Sequence, residues 1–119
     1  MYLLVYKFGG SSVADAAGLR CAAGQLAAAA AAGFHIIAVV SAQGKTTDRL
    51  LQSTAELTAH PACREADQLL ATGEQASAAL MAMTLQEMGL PAVSLTGWQA
   101  GIHTDVVSPK LLPDYRRKK

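Results

Sequence analysis

The sequence is poor in aromatic and charged residues and holds only two cysteines. Aromatic side chains make up 5% of its 119 residues and charged ones 16%, and the formal net charge is +1. Such a small charge creates no strong field to attract nucleic acid or a membrane surface, and so few aromatics argue against a surface that stacks on bases. Cys21 and Cys63 lie far apart and form no C-x-x-C pair, which indicates neither a zinc site nor a redox motif. We therefore expect no nucleic acid or membrane partner.

Long hydrophobic runs are also missing. The alanine-rich stretch at residues 27–32 is too short and too weakly apolar to span a bilayer. A polar glycine turn interrupts the N-terminus before the apolar core of a signal peptide could form. Together with the unpaired cysteines, this predicts a reducing, cytoplasmic location.

Apolar residues are plentiful, at 51% of the chain, which excludes a disordered protein and suggests a chain that is buried on several sides. The length fits one small domain or part of a larger one. Apolar strand patterns alternate with helical patterns, and this order predicts an α/β fold with a mainly parallel sheet. We expect a three-layer α/β/α sandwich. The predicted strands are residues 3–6, 35–40 and 91–95, and the predicted helices start near residue 11, residue 46 and residue 64.

Caps and core positions follow from the same patterns. Ser11 or Ser12 is predicted to cap the first helix, with Asp15 in its first turn, and Gly33 to end it. Thr46 or Thr47 is predicted to cap the second helix, which His60-Pro61 ends. The third helix is predicted to be interrupted at Gly73. Its expected core positions are Leu69, Leu70, Leu80, Met81 and Met88, and those of the second helix are Leu50, Leu51 and Leu57.

The turn after the first strand has the features of an anion site. Gly9 and Gly10 allow a ligand to approach the backbone closely, and a helix N-terminus behind them would offer free N–H groups. Lys7 adds a full positive charge. The alternative is an ordinary capped turn beside a solvated lysine. All three predicted strands end in small, polar, glycine-bearing loops, and ligands of parallel sheets bind beyond the carboxyl ends of strands. The loops after Tyr6, Val40 and Leu95 are therefore expected to meet at one site.

Other motifs are weaker. Gly44-Lys45-Thr46 is not a Walker motif, because Val39 stands where that motif needs a glycine. Glu74 lies within a mostly apolar helical segment, where it is either on a solvated face or paired with a buried cation. Spacing alone favours the solvated face. The three histidines show no metal-ligand spacing.

Four segments occur in a characteristic order: KFGGSSV at residues 7–13, VSAQGKTTD at 40–48, TGEQAS at 72–77 and TGWQAGIHTD at 96–105. Together they resemble the N-terminal part of the aspartate kinases, a branch of the amino acid kinase family. The resemblance covers roughly residues 3–105, and Gln43 stands where the family more often has methionine.

This resemblance implies an enzyme that transfers the γ-phosphoryl group of ATP to the side-chain carboxylate of L-aspartate. The product is 4-phospho-L-aspartate, the first intermediate towards lysine, threonine and methionine. ATP is the co-substrate and Mg²⁺ the expected metal ion. The implied catalytic residue is Lys7, and no metal ligand falls on this chain. The implied phosphate-binding residues are Lys7, Phe8, Gly9, Gly10 and Ser11, and the implied substrate-binding residues are Ser41, Thr47 and Glu74.

Residues 1–105 thus resemble the N-terminal part of a kinase domain, and residues 106–119 are a divergent charged tail. Family members are several times longer, with the nucleotide-base pocket, the magnesium-binding aspartate and the ACT domains further on. We therefore expect a truncated or split kinase domain that is inactive alone and needs a homo-oligomer or a completing half. The alternatives are a non-catalytic fragment or partner-dependent subunit, and another amino acid kinase such as a glutamate or acetylglutamate kinase.

Overall fold

The computed structural model describes residues 2–104, so the predicted tail at residues 106–119 lies outside the described residues. Within these residues the elements follow the predicted order of strand, helix, strand and two helices, and the two strands described there pair in parallel. The elements are β1 (Leu3–Phe8), α1 (Ala16–Ala31), β2 (His35–Val40), α2 (Thr46–Leu57) and α3 (Cys63–Glu87).

The sheet has one covered and one open face. The register aligns Leu3 with His35 and Phe8 with Val40, and successive side chains of each strand point to opposite faces. The inner face packs against the helices through Tyr6, Phe8, Ile36, Ala38 and Val40. The open face carries Leu3, Val5, Ile37 and Val39, all of which are exposed. Helices α1 and α3 pack against β2, and no helix of residues 2–104 covers the open face, whose side chains are exposed.

Helix α1 begins later than predicted. Its N-cap is Asp15, whose Oδ1 accepts a hydrogen bond from the Gly18 amide at 2.7 Å, so the prediction of a Ser11 or Ser12 cap is wrong. Residues 9–12 instead form a turn closed by a hydrogen bond from Ser12 N to Gly9 O at 3.1 Å. Val13 is fully buried just before the helix and anchors this turn to the core. The end of α1 is as predicted, with Gly33 in the left-handed region at φ +94°.

The core lies between α1, α3 and the inner face. Four residues of α1 are buried, and their spacing is that of one helical face. Small alanines at two of these positions let α1 lie close to its neighbours. The buried apolar cluster comprises Phe8, Val13, Leu19, Ala22, Ala23, Leu26, Met81 and Leu85.

Helix α2 is peripheral. Its N-cap is Lys45, which makes no side-chain capping bond, so neither Thr46 nor Thr47 caps the helix as predicted. The helix ends at Leu57, ahead of the predicted His60-Pro61 stop, and none of its residues is buried. Of the leucines predicted to be its core, Leu57 is 88% exposed. The amphipathic pattern is present, and within residues 2–104 this helix packs mainly against α3.

Helix α3 continues through Gly73, where an interruption was predicted. Gly73 is buried, and a Cβ there would lie 3.0 Å from the Ala42 Cβ and 3.3 Å from the Thr46 Cγ2. The glycine therefore serves close packing between α3 and the segment that follows β2. This packing also sets the buried face, which comprises Gly73, Ser77, Met81, Ala82 and Leu85. Of the predicted core positions, Met81 is buried, whereas Leu80 and Met88 are exposed.

The third predicted strand does not form within the described residues. Residues 91–95 carry no strand assignment, and the sheet has two strands instead of the three or more predicted. A strand needs a backbone partner, and here the Ala92 carbonyl accepts a hydrogen bond from Gln86 Nε2 at 2.9 Å. Leu90 and Ala92 still pack against the core, so this segment lies beside the inner face without joining the sheet.

Candidate functional site

The loops after β1 and β2 are joined by hydrogen bonds. We call residues 9–13 the first loop and residues 41–45 the second loop. Ser41 N donates to Phe8 O at 3.1 Å, and Gly44 N donates to Gly10 O at 3.0 Å. Gln43 Nε2 donates to Val13 O at 2.8 Å. The predicted convergence of these two loops is therefore confirmed, and it follows from the parallel pairing that places both carboxyl strand ends at one edge.

The two glycines of the first loop have different surroundings. A Cβ on Gly10 would lie 2.7 Å from the Ala42 carbonyl oxygen, so only glycine permits this contact between the loops. A Cβ on Gly9 would meet nothing within 4 Å, and Gly9 is exposed. Gly10 therefore holds the two loops together, whereas Gly9 leaves an open backbone surface that a ligand can approach.

Helix α3 forms the third side of this junction. Gly73 contacts Ala42 of the second loop and Thr46 at the start of α2. Glu74 is the next residue, and its side chain is exposed. Within residues 2–104 Glu74 forms no ion pair, since the two salt bridges there join Lys45 to Asp48 and Arg64 to Glu65. A free carboxylate thus lies one residue from the contact between α3 and the second loop.

Lys7 lies inside β1, whereas the sequence placed it in the turn that ends the strand. It is exposed and is aligned with Val39 of β2. Since strand side chains alternate, Lys7 shares the open face with Leu3 and Val5. The helix start that was expected just behind the glycines is at Ala16, so the helix dipole is farther from Lys7 than predicted. A cleft of about 440 Å³ lies between β1 and α1, and Lys7, Ser12 and Gln25 contribute to its lining.

The remaining predicted site residues lie around the loop junction. Phe8 is 8% exposed and its side chain belongs to the core, so only its backbone faces the loops. Ser11 is exposed at the tip of the first loop, and Ser41 is half-buried at the start of the second. Thr47 is half-buried in the first turn of α2, at a helix N-terminus that no side chain caps. Such a terminus presents free N–H groups.

The loop expected after the third strand is not joined to this junction by any hydrogen bond of the described chain. Its bonds are internal, from Ala100 N to Thr96 O and from Ile102 N to Gly97 O, each at 2.9 Å. Trp98 at its tip is 85% exposed. The predicted meeting of three loops is therefore seen for two loops, with α3 beside them.

Two residues with unusual surroundings, Gln43 and Ser77, were not singled out from the sequence. Gln43 was noted only as a departure from methionine, yet its amide bridges the two loops. Ser77, on α3, is fully buried and its hydroxyl has no hydrogen-bond partner within the described residues. For Gln43 the sequence offers only a weak signal, a polar side chain in the loop after a strand. Ser77 could have been indicated by its position one helical turn after Gly73.

Residues 2–104 show neither a metal-binding cluster nor a helix that could span a membrane. No group of three or more His, Cys, Asp or Glu side chains in residues 2–104 is placed to hold a metal ion. None of the helices in that range is long and apolar enough to cross a membrane. A second cleft, of about 390 Å³, lies between the end of α2 and the start of α3 and includes none of the predicted site residues.

Comparisons with known proteins agree on one family. Residues 3–117 match the sequence model of the amino acid kinase family. The chain is 49% identical over 105 residues to the aspartokinase of Geobacillus stearothermophilus, covering 88% of this chain and 26% of that protein. It is 47% identical over 107 residues to aspartokinase 2 of Bacillus subtilis, covering 90% and 26%. The crystal structure of aspartate kinase from Synechocystis matches with a TM-score of 0.79 and 41% identity, over 83% of this chain and 17% of that one. The chain thus spans about a quarter of the length of these aspartokinase sequences.

Proposed function

The chain belongs to the amino acid kinase family, and from this premise we propose that it is part of an aspartate kinase. The reaction is transfer of the γ-phosphoryl group of ATP to the side-chain carboxylate of L-aspartate, which gives 4-phospho-L-aspartate. The observation that carries the proposal is the 47–49% identity with aspartokinases over about nine-tenths of the chain. The joined loops at the carboxyl edge of the sheet are where such a site is expected.

The chemistry of this transfer determines what the protein must supply. The nucleophile is a carboxylate with a pKa near ~4, already ionised at neutral pH, so no general base is required. The difficulty is to bring two anions together, and the site must provide positive charge and hydrogen-bond donors. Mg²⁺ bound with ATP would neutralise part of the phosphate charge.

Lys7 and the first loop are the proposed phosphate-binding elements. Lys7 provides a full positive charge at the carboxyl end of β1, and it is exposed. The open backbone at Gly9 fits the approach of a phosphate, because nothing lies within 4 Å of the position that a Cβ would take. Gly10 holds this loop against the second loop, Ser11 adds a hydroxyl at the tip, and Phe8 contributes through its backbone.

Glu74, Ser41 and Thr47 are the proposed amino acid contacts. The substrate carries an α-ammonium group, and a carboxylate is the natural partner for it. Glu74 is exposed and forms no ion pair in the described chain, so it is free to bind this group. Ser41 and Thr47, on the adjacent second loop and the first turn of α2, supply hydroxyl donors for the substrate.

The proposal extends to the wider context of this reaction. Aspartate phosphorylation is the entry step to lysine, threonine and methionine, and we place the enzyme in the cytoplasm. Because this chain spans about a quarter of the aspartokinases it matches, we propose that it needs a completing half or an oligomeric partner for activity. The other acceptors to test are glutamate and acetylglutamate.

The first experiment measures ATP-dependent hydroxamate formation. Aspartate, glutamate and N-acetylglutamate are each supplied with ATP and Mg²⁺, first to this chain alone and then to a full-length enzyme that carries this segment. We expect turnover with aspartate in the full-length enzyme only. Preference for glutamate or acetylglutamate would contradict the proposed substrate, and turnover by the chain alone would contradict the need for a completing part.

The second experiment tests the proposed phosphate clamp. In the full-length enzyme, Lys7→Ala should lower kcat at least ~100-fold, since one preorganised charge contact to a transferring group is lost. Arg20→Ala removes a positive charge from the exposed surface of α1 and should leave kcat unchanged. Wild-type turnover in Lys7→Ala would remove Lys7 from the mechanism.

The third experiment separates the amino acid site from the nucleotide site. Glu74→Gln keeps the shape of the side chain and removes its charge, so aspartate binding should weaken by about 1.5–3 kcal/mol. The KM for ATP should stay the same. Glu87→Gln, at the other end of α3, is the matched control. An unchanged KM for aspartate in Glu74→Gln would make Glu74 a surface residue without a role in binding.

A further inference from the structure

Ser77 is the one buried polar side chain among residues 2–104, and its hydroxyl lacks a hydrogen-bond partner there. The residue is fully inaccessible, at 0% exposure. Native proteins keep few such groups, because an unpaired hydroxyl loses its water contacts without replacement. An orphaned polar atom at this depth therefore calls for a physical explanation.

Four other hydroxyls of α2 and α3 show the ordinary solution. Each of the four donates to a backbone carbonyl three or four residues earlier in its own helix. Ser77 could bond in the same way to the carbonyl of Gly73, one turn back, but it does not. Its hydroxyl is thus left available for a group outside its helix. The four self-bonded hydroxyls are Ser53 to Arg49 O, Thr54 to Leu50 O, Thr72 to Leu69 O and Thr84 to Leu80 O.

The neighbours on the same helix face locate this hydroxyl. Residues four apart on a helix lie on one face, so Ser77 lies between Gly73 and Met81. Gly73 packs against Ala42 of the second loop. A Cβ built on Gly73 would lie 3.0 Å from the Cβ of Ala42. Met81 belongs to the buried cluster that contains Phe8 and Val13, on either side of the glycines of the first loop. Ser77 is therefore beneath the junction of the two loops and not at an exposed surface.

We propose that Ser77 is a positioning residue for phosphoryl transfer. Its hydroxyl has no partner within residues 2–104 and takes a backbone partner in the junction of the first and second loops only as the transition state of phosphoryl transfer forms. This inference rests on the proposed kinase function. An interaction formed only in the transition state lowers the barrier without tightening substrate binding.

The expected kinetic signature differs from that of a space-filling residue. Replacing an unsatisfied buried hydroxyl by hydrogen, as in serine to alanine, removes the desolvated polar atom and should leave stability equal or higher. If the hydroxyl pairs during the reaction, the same change lowers kcat and leaves ground-state binding unaffected. The alanine variant of a residue that only fills space would show no loss of kcat.

The test uses a full-length aspartokinase that carries this segment. Ser77→Ala should lower kcat for aspartate phosphorylation about tenfold, with the KM values for aspartate and ATP within twofold and an equal or higher Tm. Ser77→Cys keeps a weak donor of similar size and should give an intermediate kcat; it also serves if the alanine variant does not fold. The matched control is Thr84→Ala, which removes a hydroxyl of α3 that is already bonded within the helix.

The outcomes are distinguishable. A kcat within twofold of wild type in Ser77→Ala would overturn the inference, whatever happens to the Tm. A fall in kcat that Thr84→Ala reproduces would also overturn it, since the effect would then belong to the helix in general. If the wild-type enzyme does not phosphorylate aspartate, the proposed function itself fails, independently of the Ser77 variants.

Discussion

Both faces of the β1–β2 sheet carry apolar side chains, but the faces differ in what covers them. The inner face packs against α1 and α3, and Phe8 on it is 8% exposed. On the open face Leu3, Val5, Ile37 and Val39 are 47–65% exposed. The strands thus carry the composition of a sheet that is buried on both sides, while residues 2–104 cover one side. The composition of a strand therefore predicts whether its side chains need to be buried. Which segment buries them depends on parts of the chain that are distant in sequence.

The largest expected difference between the faces is in their tolerance of charge. Ala38→Lys would bury an unpaired cation against α1 and α3 and should lower the free energy of unfolding by ~4 kcal/mol or more. Val39→Lys, one residue on but on the open face, should change it by about 0.5 kcal/mol. Urea unfolding of both variants measures this, and equal losses would show that the open face is covered in solution.

Shortening an apolar side chain should give a smaller difference in the same direction. Leu26 of α1 is 1% exposed and packs towards the inner face, so Leu26→Ala should lower the free energy of unfolding by about 2–5 kcal/mol. Ile37 is 50% exposed on the open face, and Ile37→Ala should lower it by about 1 kcal/mol or less. A larger loss for Ile37 than for Leu26 in the same urea titration would reverse the assignment of the faces.

The glycine pair at the end of β1 sharpens the comparison at the site. Gly10→Ala would push a Cβ to 2.7 Å from the Ala42 carbonyl oxygen, and this overpacking should destabilise the chain by about 1–3 kcal/mol. Gly9→Ala meets nothing within 4 Å and should leave stability nearly unchanged, although it should weaken ATP binding in the full-length enzyme. Calorimetric melting of the two variants separates these cases; a stable Gly10→Ala would mean that the loops are not held at this contact.

The smallest expected effect concerns the side of α1 that faces away from its neighbours. Gly24 lies in the helix interior with open space around its Cβ position, so Gly24→Ala should stabilise the protein by roughly 0.5–1 kcal/mol through helix propensity. The matched change in α3, Gly73→Ala, has the same gain in helix propensity. Its new Cβ, however, would lie only 3.0 Å from the Cβ of Ala42 and would crowd it. We expect a higher Tm for the first variant alone. A similar gain in both would show that α3 can move away from the second loop.

Prediction from sequence worked best where local chemistry is sufficient. The strand at His35–Val40 and the glycine that ends α1 were both predicted at the correct residues. It worked less well at helix starts. Ser11 and Ser12 are good capping residues, but burial of Val13 and its bond from Gln43 keep this stretch in a turn, and Asp15 caps the helix instead.

The sequence by itself determined the α/β order, the parallel pairing and the position of the glycine turn, because these depend on periodicity and local backbone preferences. The tertiary structure alone decided which apolar side chains are buried and which glycine serves which contact. It also revealed that α3 passes unbroken through Gly73 and that Ser77 is fully buried. Close approach between distant segments, such as Gly10 with Ala42 and Gly73 with Ala42, is a property of packing, and no local pattern in the chain specifies it.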